Sequence, residues 1–173
     1  LAPVRLRFGF DDGDLAAMAG WVDTANTRWG IDGEHRERWG VPSDHHDGTW
    51  MAALDRLLLG VLISDETDAL AVGGVLPIGV EGDGVALAGR FADLVHCLAR
   101  LCREATTPRP VAGWLALLEG ATEELFAVGD DVAWQSSRLR AVLQTIVDHS
   151  TIDDEPCTVD LSLTDVRSLL GDQ

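Results

Sequence analysis

Residues 21–59 read WVDTANTRWGIDGEHRERWGVPSDHHDGTWMAALDRLLL, and at their centre lies Thr27-Arg28-Trp29-Gly30-Ile31-Asp32. A helical apolar period ends before Thr27. A polar, glycine-containing connection follows, and a strongly apolar stripe starts after Thr49. Linkers lack aromatic residues, whereas this stretch carries Trp21, Trp29, Trp39 and Trp50 beside Arg28, Arg36, Arg38 and Arg56. It therefore reads as a packed elbow joining two helices. The structural elbow is assigned to Trp21, Trp29, Gly30, Asp32 and Trp50. Trp29 and Trp50 are expected to be largely buried, with Trp29 clamping the end of the first helix against the helix that begins near Thr49.

Working outward, residues 1–10 read as extended and apolar, with Phe8 and Phe10 placed to staple the next helix. Asp11, Asp12 and Asp14 suit a helix N-terminus, where carboxylates accept from orphan N–H groups and oppose the positive dipole end. Leu15, Met18, Ala19, Val22 and Ala25 predict a helix from about 12 to 26. Thr49 is the expected cap of a buried helix carrying Trp50, Leu54, Leu57, Leu58, Val61 and Leu62. Residues 65–84, rich in glycine, read as a long loop tucked onto the core by Leu70, Val72, Val75, Leu76 and Ile78. Leu87, Phe91, Leu94, Val95, Leu98, Leu101 and Cys102 predict a helix over about 84–105. Pro110 fits a first helical turn, ahead of a helix marked by Trp114, Leu115, Leu118, Ala121 and Leu125 that breaks near Gly120. Asp130 or Asp131 caps a fifth helix with Leu139, Val142, Leu143, Ile146 and Val147 inward. Residues 150–157 read as a polar loop, and Ser162 with Asp165 as a box-like cap for a last helix with Val166, Leu169 and Leu170. The expected fold is all-α: an irregular bundle of five to seven helices in a single domain over 1–173, with short strands at the termini.

The chain of 173 residues is long enough for a real core. It contains no uncharged apolar run of membrane-spanning length, so no membrane role is expected. The start has no signal-peptide layout and no initiating Met, as expected of an excised fragment. Net charge is −16, and all 13 basic residues are Arg. Arg usage without Lys, with abundant Ala, Gly, Asp and Val, points to a GC-rich bacterial coding sequence. The acidity argues against a surface that grips phosphates by itself and favours docking onto something basic. Cys97, Cys102 and Cys157 are expected to be buried, reduced thiols of a cytosolic protein.

Motifs for chemistry are few. Asp44-His45-His46-Asp47 is the most metal-like group, yet adjacent His on a loop diverge and no partner spacing completes a ligand set. Gly79–Gly84 precedes a helix as a phosphate loop would, but it lacks the Gly-Lys-Ser/Thr ending, and Glu81 and Asp83 repel phosphate. Asp11, Asp12 and Asp14 do not meet the calcium-loop pattern. No catalytic residue, cofactor or metal site is expected. Arg28, Arg36 and Arg38, beside Trp29 and Trp39, are candidate DNA or subunit contacts. The alternative is that these arginines pair with Asp32, Glu34 and Glu37.

The elbow resembles a known family. Phe8-Gly9-Phe10 with acidic residues after it, Trp21-Val22, Arg28-Trp29-Gly30-Ile31-Asp32, Arg38, Thr49-Trp50 and Arg56-Leu57-Leu58-Leu59-Gly60 look like the RecC (gamma) subunit of exodeoxyribonuclease V. Leu76-Pro77, Arg109-Pro110-Val111 with Trp114-Leu115, and Leu161-Ser162-Leu163 with Asp172-Gln173 extend the likeness. Asn26-Thr27 depart from the residues the family often has before its Arg-Trp pair. The resemblance implies a helicase-like subunit that has lost its ATPase motifs, and a fragment corresponding to the helical 2B-like insertion of superfamily-1 helicases. It also implies a non-catalytic structural role in the bacterial, cytoplasmic RecBCD complex. The partners would be RecB, RecD, the rest of RecC and, within the complex, DNA. That complex unwinds and degrades duplex DNA from ends and prepares recombination at double-strand breaks. A rival reading is an acidic helical adaptor or DNA mimic that binds a basic protein.

Overall fold

Asp11 begins the second helix in the way its neighbours dictate. Its side chain accepts the Asp14 N–H at 2.8 Å and the Asp14 carboxylate accepts the Asp11 N–H, a reciprocal capping box. The computed structural model describes residues 1–63, 75–80, 82, 84–127, 133–152 and 155–171. Among them are eight helices: α1 (Ala2–Phe8), α2 (Asp12–Thr24), α3 (Gly33–Glu37), α4 (Trp50–Leu62), α5 (Gly84–Glu104), α6 (Val111–Leu125), α7 (Ala133–His149) and α8 (Leu163–Gly171). A two-residue-per-strand antiparallel hairpin, β1 (Thr151–Ile152) and β2 (Glu155–Pro156), is the only sheet among these residues. The fold is all-α. The chain forms two compact units, 10–95 and 1–9 with 96–173.

In the unit of residues 10–95, Phe10, Met18, Ile31, Leu54, Leu57, Ile78, Val80, Leu87, Phe91 and Val95 are buried. Thr49 caps α4 as its sequence context requires: its hydroxyl accepts the Ala52 N–H. The apolar stripe of α4 is narrower than its sequence suggests. Leu54 and Leu57 are almost fully enclosed, while Leu58 is partly exposed and Leu62 is 80% exposed. Gly60 lies against the 75–80 segment, where an added Cβ would fall 1.6 Å from the Ile78 carbonyl oxygen. Trp21, near the end of α2, accepts the Ala25 N–H through its carbonyl. Its ring packs 6.2 Å from Phe91 on α5, while Arg90 bonds Asp14 at 3.1 Å and lies over the Phe10 ring. On the part of α5 in this unit Leu87, Ala88, Phe91, Ala92 and Val95 are buried; on its part in the other unit Ala99 is buried while Leu98 and Cys102 are exposed. Small alanines hold the inward face, so counting only large side chains rotated the expected stripe.

In the second unit, residues 1–9 are helical rather than extended. Pro3 stands in the first turn and Gly9 closes α1 in the left-handed region, its N–H bonded to Arg5 O. This is the Pro-at-start, Gly-at-end asymmetry of helices. The Ala127 N–H donates to Pro3 O, and Arg7 Nε donates to Glu124 O. Helix α6 runs unbroken through Gly120 and begins one residue after Pro110, which serves as its N-cap. Trp114 is buried and its indole N–H donates to Leu161 O at 2.8 Å, beside a backbone bridge that joins Arg109 and Leu161. Val111, Leu118, Leu143, Ile146 and Val166 line the small void beneath it. The segment 150–157 carries the hairpin instead of an open loop. Ser162 caps α8 with Asp165 as its sequence pattern predicts. Cys97 and Cys157 are half-buried and Cys102 is exposed, all as free thiols. This corrects the expectation of burial: on α5 the two cysteines fall beside the alanine face. The expected cap at Asp130 or Asp131, the loop at 65–74 and the side chain of Leu170 lie outside the described residues.

Two outcomes test this packing. Gly60→Ala should lower the denaturation midpoint by the equivalent of about 3 kcal/mol, since the Ile78 backbone must move. Gly20→Ala, in open space on α2, should raise stability by about 0.5–1 kcal/mol. Asp165 is held below its ordinary carboxylate value by the Ser162 hydroxyl and then the Ser162 N–H. An NMR titration should find it titrating below 3.8, and Ser162→Ala should bring it back toward that value. The cap is intact above the ordinary value and is lost as pH falls through the lowered one.

Candidate interaction site at the elbow

Residues 26–49 form a knot of backbone carbonyls around one side chain. The Asn26 backbone is left-handed at φ 54°, and the Thr27 N–H reaches back to Val22 O as the chain leaves α2. The Arg28 N–H donates to Gly48 O at 2.8 Å, pinning the two ends of the connection together. The N–H groups of Trp50 and Met51, orphans at the start of α4, donate to the carbonyls of Gly30 and Ile31 at 3.1 and 2.9 Å. With the Thr49 cap, the elbow thus satisfies the first turn of α4. Asp32 caps α3 by accepting the His35 N–H at 2.7 Å. Helix α3 was not anticipated from sequence, where these residues read as a polar connection. Its signal was Asp32 followed by Gly-Glu-His-Arg-Glu, a cap and a single turn.

Arg36 is the hub. It is 6% exposed and shares with Thr49 the distinction of being a buried polar residue among those described. Its Nε and Nη2 donate to Trp29 O at 3.2 and 2.6 Å, and its Nη1 donates to the carbonyls of His45 and Asp47 at 3.1 and 2.9 Å. A guanidinium cannot shed its charge, so burying it demands such partners. Gly30 makes the approach practicable: it has φ 82°, and a Cβ there would lie 2.8 Å from Arg36 Nε. A Cβ on Gly33 would lie 1.9 Å from Ser43 O, which keeps the loop tight.

Several expectations change accordingly. Among the described residues no carboxylate pairs with Arg36, whose ligands are all neutral oxygens. Arg36 is therefore buried and is not a surface contact. Arg28 and Arg38 are exposed. Trp50 is half-buried. Trp29, expected inside, is 42% exposed, because its carbonyl rather than its ring is what the core holds. The clamp within the connection is Arg36, which holds the carbonyls of Trp29, His45 and Asp47.

The Trp29 ring meets a residue whose pairing the sequence did not disclose. Trp39, 56% exposed, stands at right angles to it with ring centroids 5.3 Å apart. The Arg36 guanidinium lies 4.8 Å from the Trp29 centroid and that of Arg38 lies 4.3 Å from Trp39. The His35 ring packs 5.0 Å from Trp39, and its Nε2 meets the Arg38 guanidinium. The arrangement is a ladder of guanidinium, indole, indole and guanidinium. The loop at 44–47 is exposed, with His45 paired to Asp44. Among the described residues, no group of three or more His, Cys, Asp or Glu is arranged to hold a metal.

Arg36→Ala should cost about 3 kcal/mol or more, since three carbonyls lose their donor in a closed space. Arg36→Lys should recover little of this, because a single ammonium cannot reproduce the fork. Arg28→Ala should cost less than about 1 kcal/mol. Urea unfolding of the three variants beside the parent checks the order.

The RecBCD enzyme subunit RecC fourth-domain family model matches residues 1–173. The RecBCD enzyme subunit RecC of Mycolicibacterium smegmatis is 39% identical over 170 residues, covering 98% of this chain. That of Mycobacterium tuberculosis (strain CDC 1551 / Oshkosh) is 36% identical over 173 residues, covering 99%. The Buchnera aphidicola protein of the same name is 21% identical over 120 residues, covering 69% of this chain and 11% of its own length. The chain spans about 15% of the length of the two mycobacterial relatives. Full-length agreement with the family, together with the identity to these relatives, makes this chain a member of the RecC family, corresponding to its fourth domain.

Proposed function

We propose that this domain is a non-catalytic structural part of a RecC subunit, working with RecB and RecD in a cytoplasmic RecBCD complex. There it would support DNA unwinding and degradation and the repair of double-strand breaks by recombination. We assign it the role of the 2B-like helical insertion in a helicase-like subunit. The observation that carries this reading is how the chain uses its buried polar groups. Arg36 and Thr49 are both consumed in locking the elbow. The capping carboxylates Asp11, Asp14, Asp32 and Asp165 likewise serve backbone N–H groups. A domain whose strongest polar interactions are internal is suited to bearing load between partners. The sequence has no Lys to serve as a phosphate-binding lysine. Among the described residues, no helix is long and apolar enough to cross a membrane.

The isolated chain should neither hydrolyse ATP nor cut DNA with magnesium present. Turnover that persists through rigorous purification would overturn the reading. At physiological salt it should bind duplex DNA with a dissociation constant weaker than about 10 µM, because its net charge of −16 opposes the phosphate attraction that dominates such binding. Fluorescence anisotropy across a salt series measures this.

A further inference from the structure

We propose that the exposed Trp29–Trp39 pair is a docking surface for a basic segment of a neighbouring protein subunit. The proposal rests on the structural-domain reading above and adds to it the place and chemistry of the contact. Two large indoles, 42% and 56% exposed and packed edge to face, form an aromatic surface of the kind that dominates protein interfaces. Their position is fixed from below. Arg36 holds the Trp29 carbonyl and underlies its ring, so little side-chain freedom is lost when a partner settles on them.

Charge selects the partner. Within the same connection, residues 26–49, Glu34, Glu37, Asp44 and Asp47 are exposed, as are Arg28 and Arg38. The Arg36 charge is buried among carbonyls. The whole chain carries −16. A nucleic-acid strand would bring further negative charge to this surface. An Arg- or Lys-bearing segment would find carboxylates for its charged heads and indole faces for its stems. The rings already accept guanidinium groups twice, from Arg36 and Arg38. An incoming arginine would extend that ladder.

The test uses the full-length subunit containing this chain, co-purified with its RecB and RecD partners. Trp39→Ser, Trp29→Ser with Trp39→Ser, and Glu34→Lys with Glu37→Lys are compared by analytical ultracentrifugation from low to high salt. Each should weaken assembly by about tenfold or more, and the charge-reversal pair should also flatten the salt dependence. Glu34 and Glu37 are exposed on a one-turn helix, so their reversal tests the surface even if a tryptophan variant unfolds. Separately, quenching of tryptophan fluorescence by a synthetic peptide of alternating Arg and Leu should be lost in Trp39→Ser. An alternating Glu and Leu peptide should not quench. Undiminished assembly of a folded Trp39→Ser subunit, or of the charge-reversal pair, would overturn the proposal. So would quenching by a twenty-residue thymidine oligonucleotide stronger than that by the Arg and Leu peptide, which would reassign the surface to nucleic acid. Neither result touches the structural-domain reading, which fails on catalytic turnover by the isolated chain.

Discussion

A buried guanidinium cannot be neutralised, and the elbow is built to satisfy one. Arg36 draws the carbonyls of Trp29, His45 and Asp47 to a single point, and those residues come from both sides of α3. Once they converge, Gly30 and Ile31 offer their own oxygens to the first turn of α4, and Gly48 offers its oxygen to Arg28. The start of α4 therefore depends on a cation that lies outside that helix. Moving Arg36 would loosen the loop and also strip hydrogen bonds from Trp50 and Met51. The identity of several neighbours follows from this arrangement: glycine where the side chain must pass, a capping Asp where α3 starts, and Thr where α4 starts.

The other unit solves a related problem with a neutral donor. The Trp114 indole spans from α6 to Leu161 and ties the strand-like residue before α8 to the helix pair. The bridge between Arg109 and Leu161 runs in parallel, and the Arg109 side chain lies over the same indole. In both units, then, a planar side chain with an N–H donor reaches across non-adjacent segments and binds backbone oxygen. Such contacts fix how segments cross, which area burial alone leaves loosely determined.

Much of this fold was legible in the sequence. The caps at Asp11, Thr49 and Ser162 were readable because each uses a local pattern of three or four residues. The presence of α4, α5 and α6 followed from apolar spacing, although α6 does not break at Gly120 as expected, and RecC membership followed from the Arg28–Asp32 and Thr49–Trp50 motifs. What escaped depended on tertiary partners. The burial of Arg36 cannot be inferred from its neighbours, because its ligands are carbonyls, which every residue has. The exposure of Trp29 follows from that hidden contact: once its oxygen was held inward, its ring turned outward onto Trp39. Helix α1 was missed although Pro3 and Gly9 bracket it, since its apolar residues alternate in a way that also suits a strand. The inward face of α5 was misjudged because Ala88, Ala92 and Ala99 occupy buried positions that a count of large side chains overlooks.

The chemistry of the Arg36 contacts sets the elbow apart from the carboxylate cap of α8. The cap of α8 rests on the Asp165 carboxylate and is lost as pH falls through its lowered value. The hub has no group that titrates in that range: its donor keeps its charge and its acceptors are amide oxygens. Added salt has little purchase on it either, since burial shields the contacts from mobile ions. The contacts that close the elbow at Arg36 are thus indifferent to a fall in pH that removes the α8 cap.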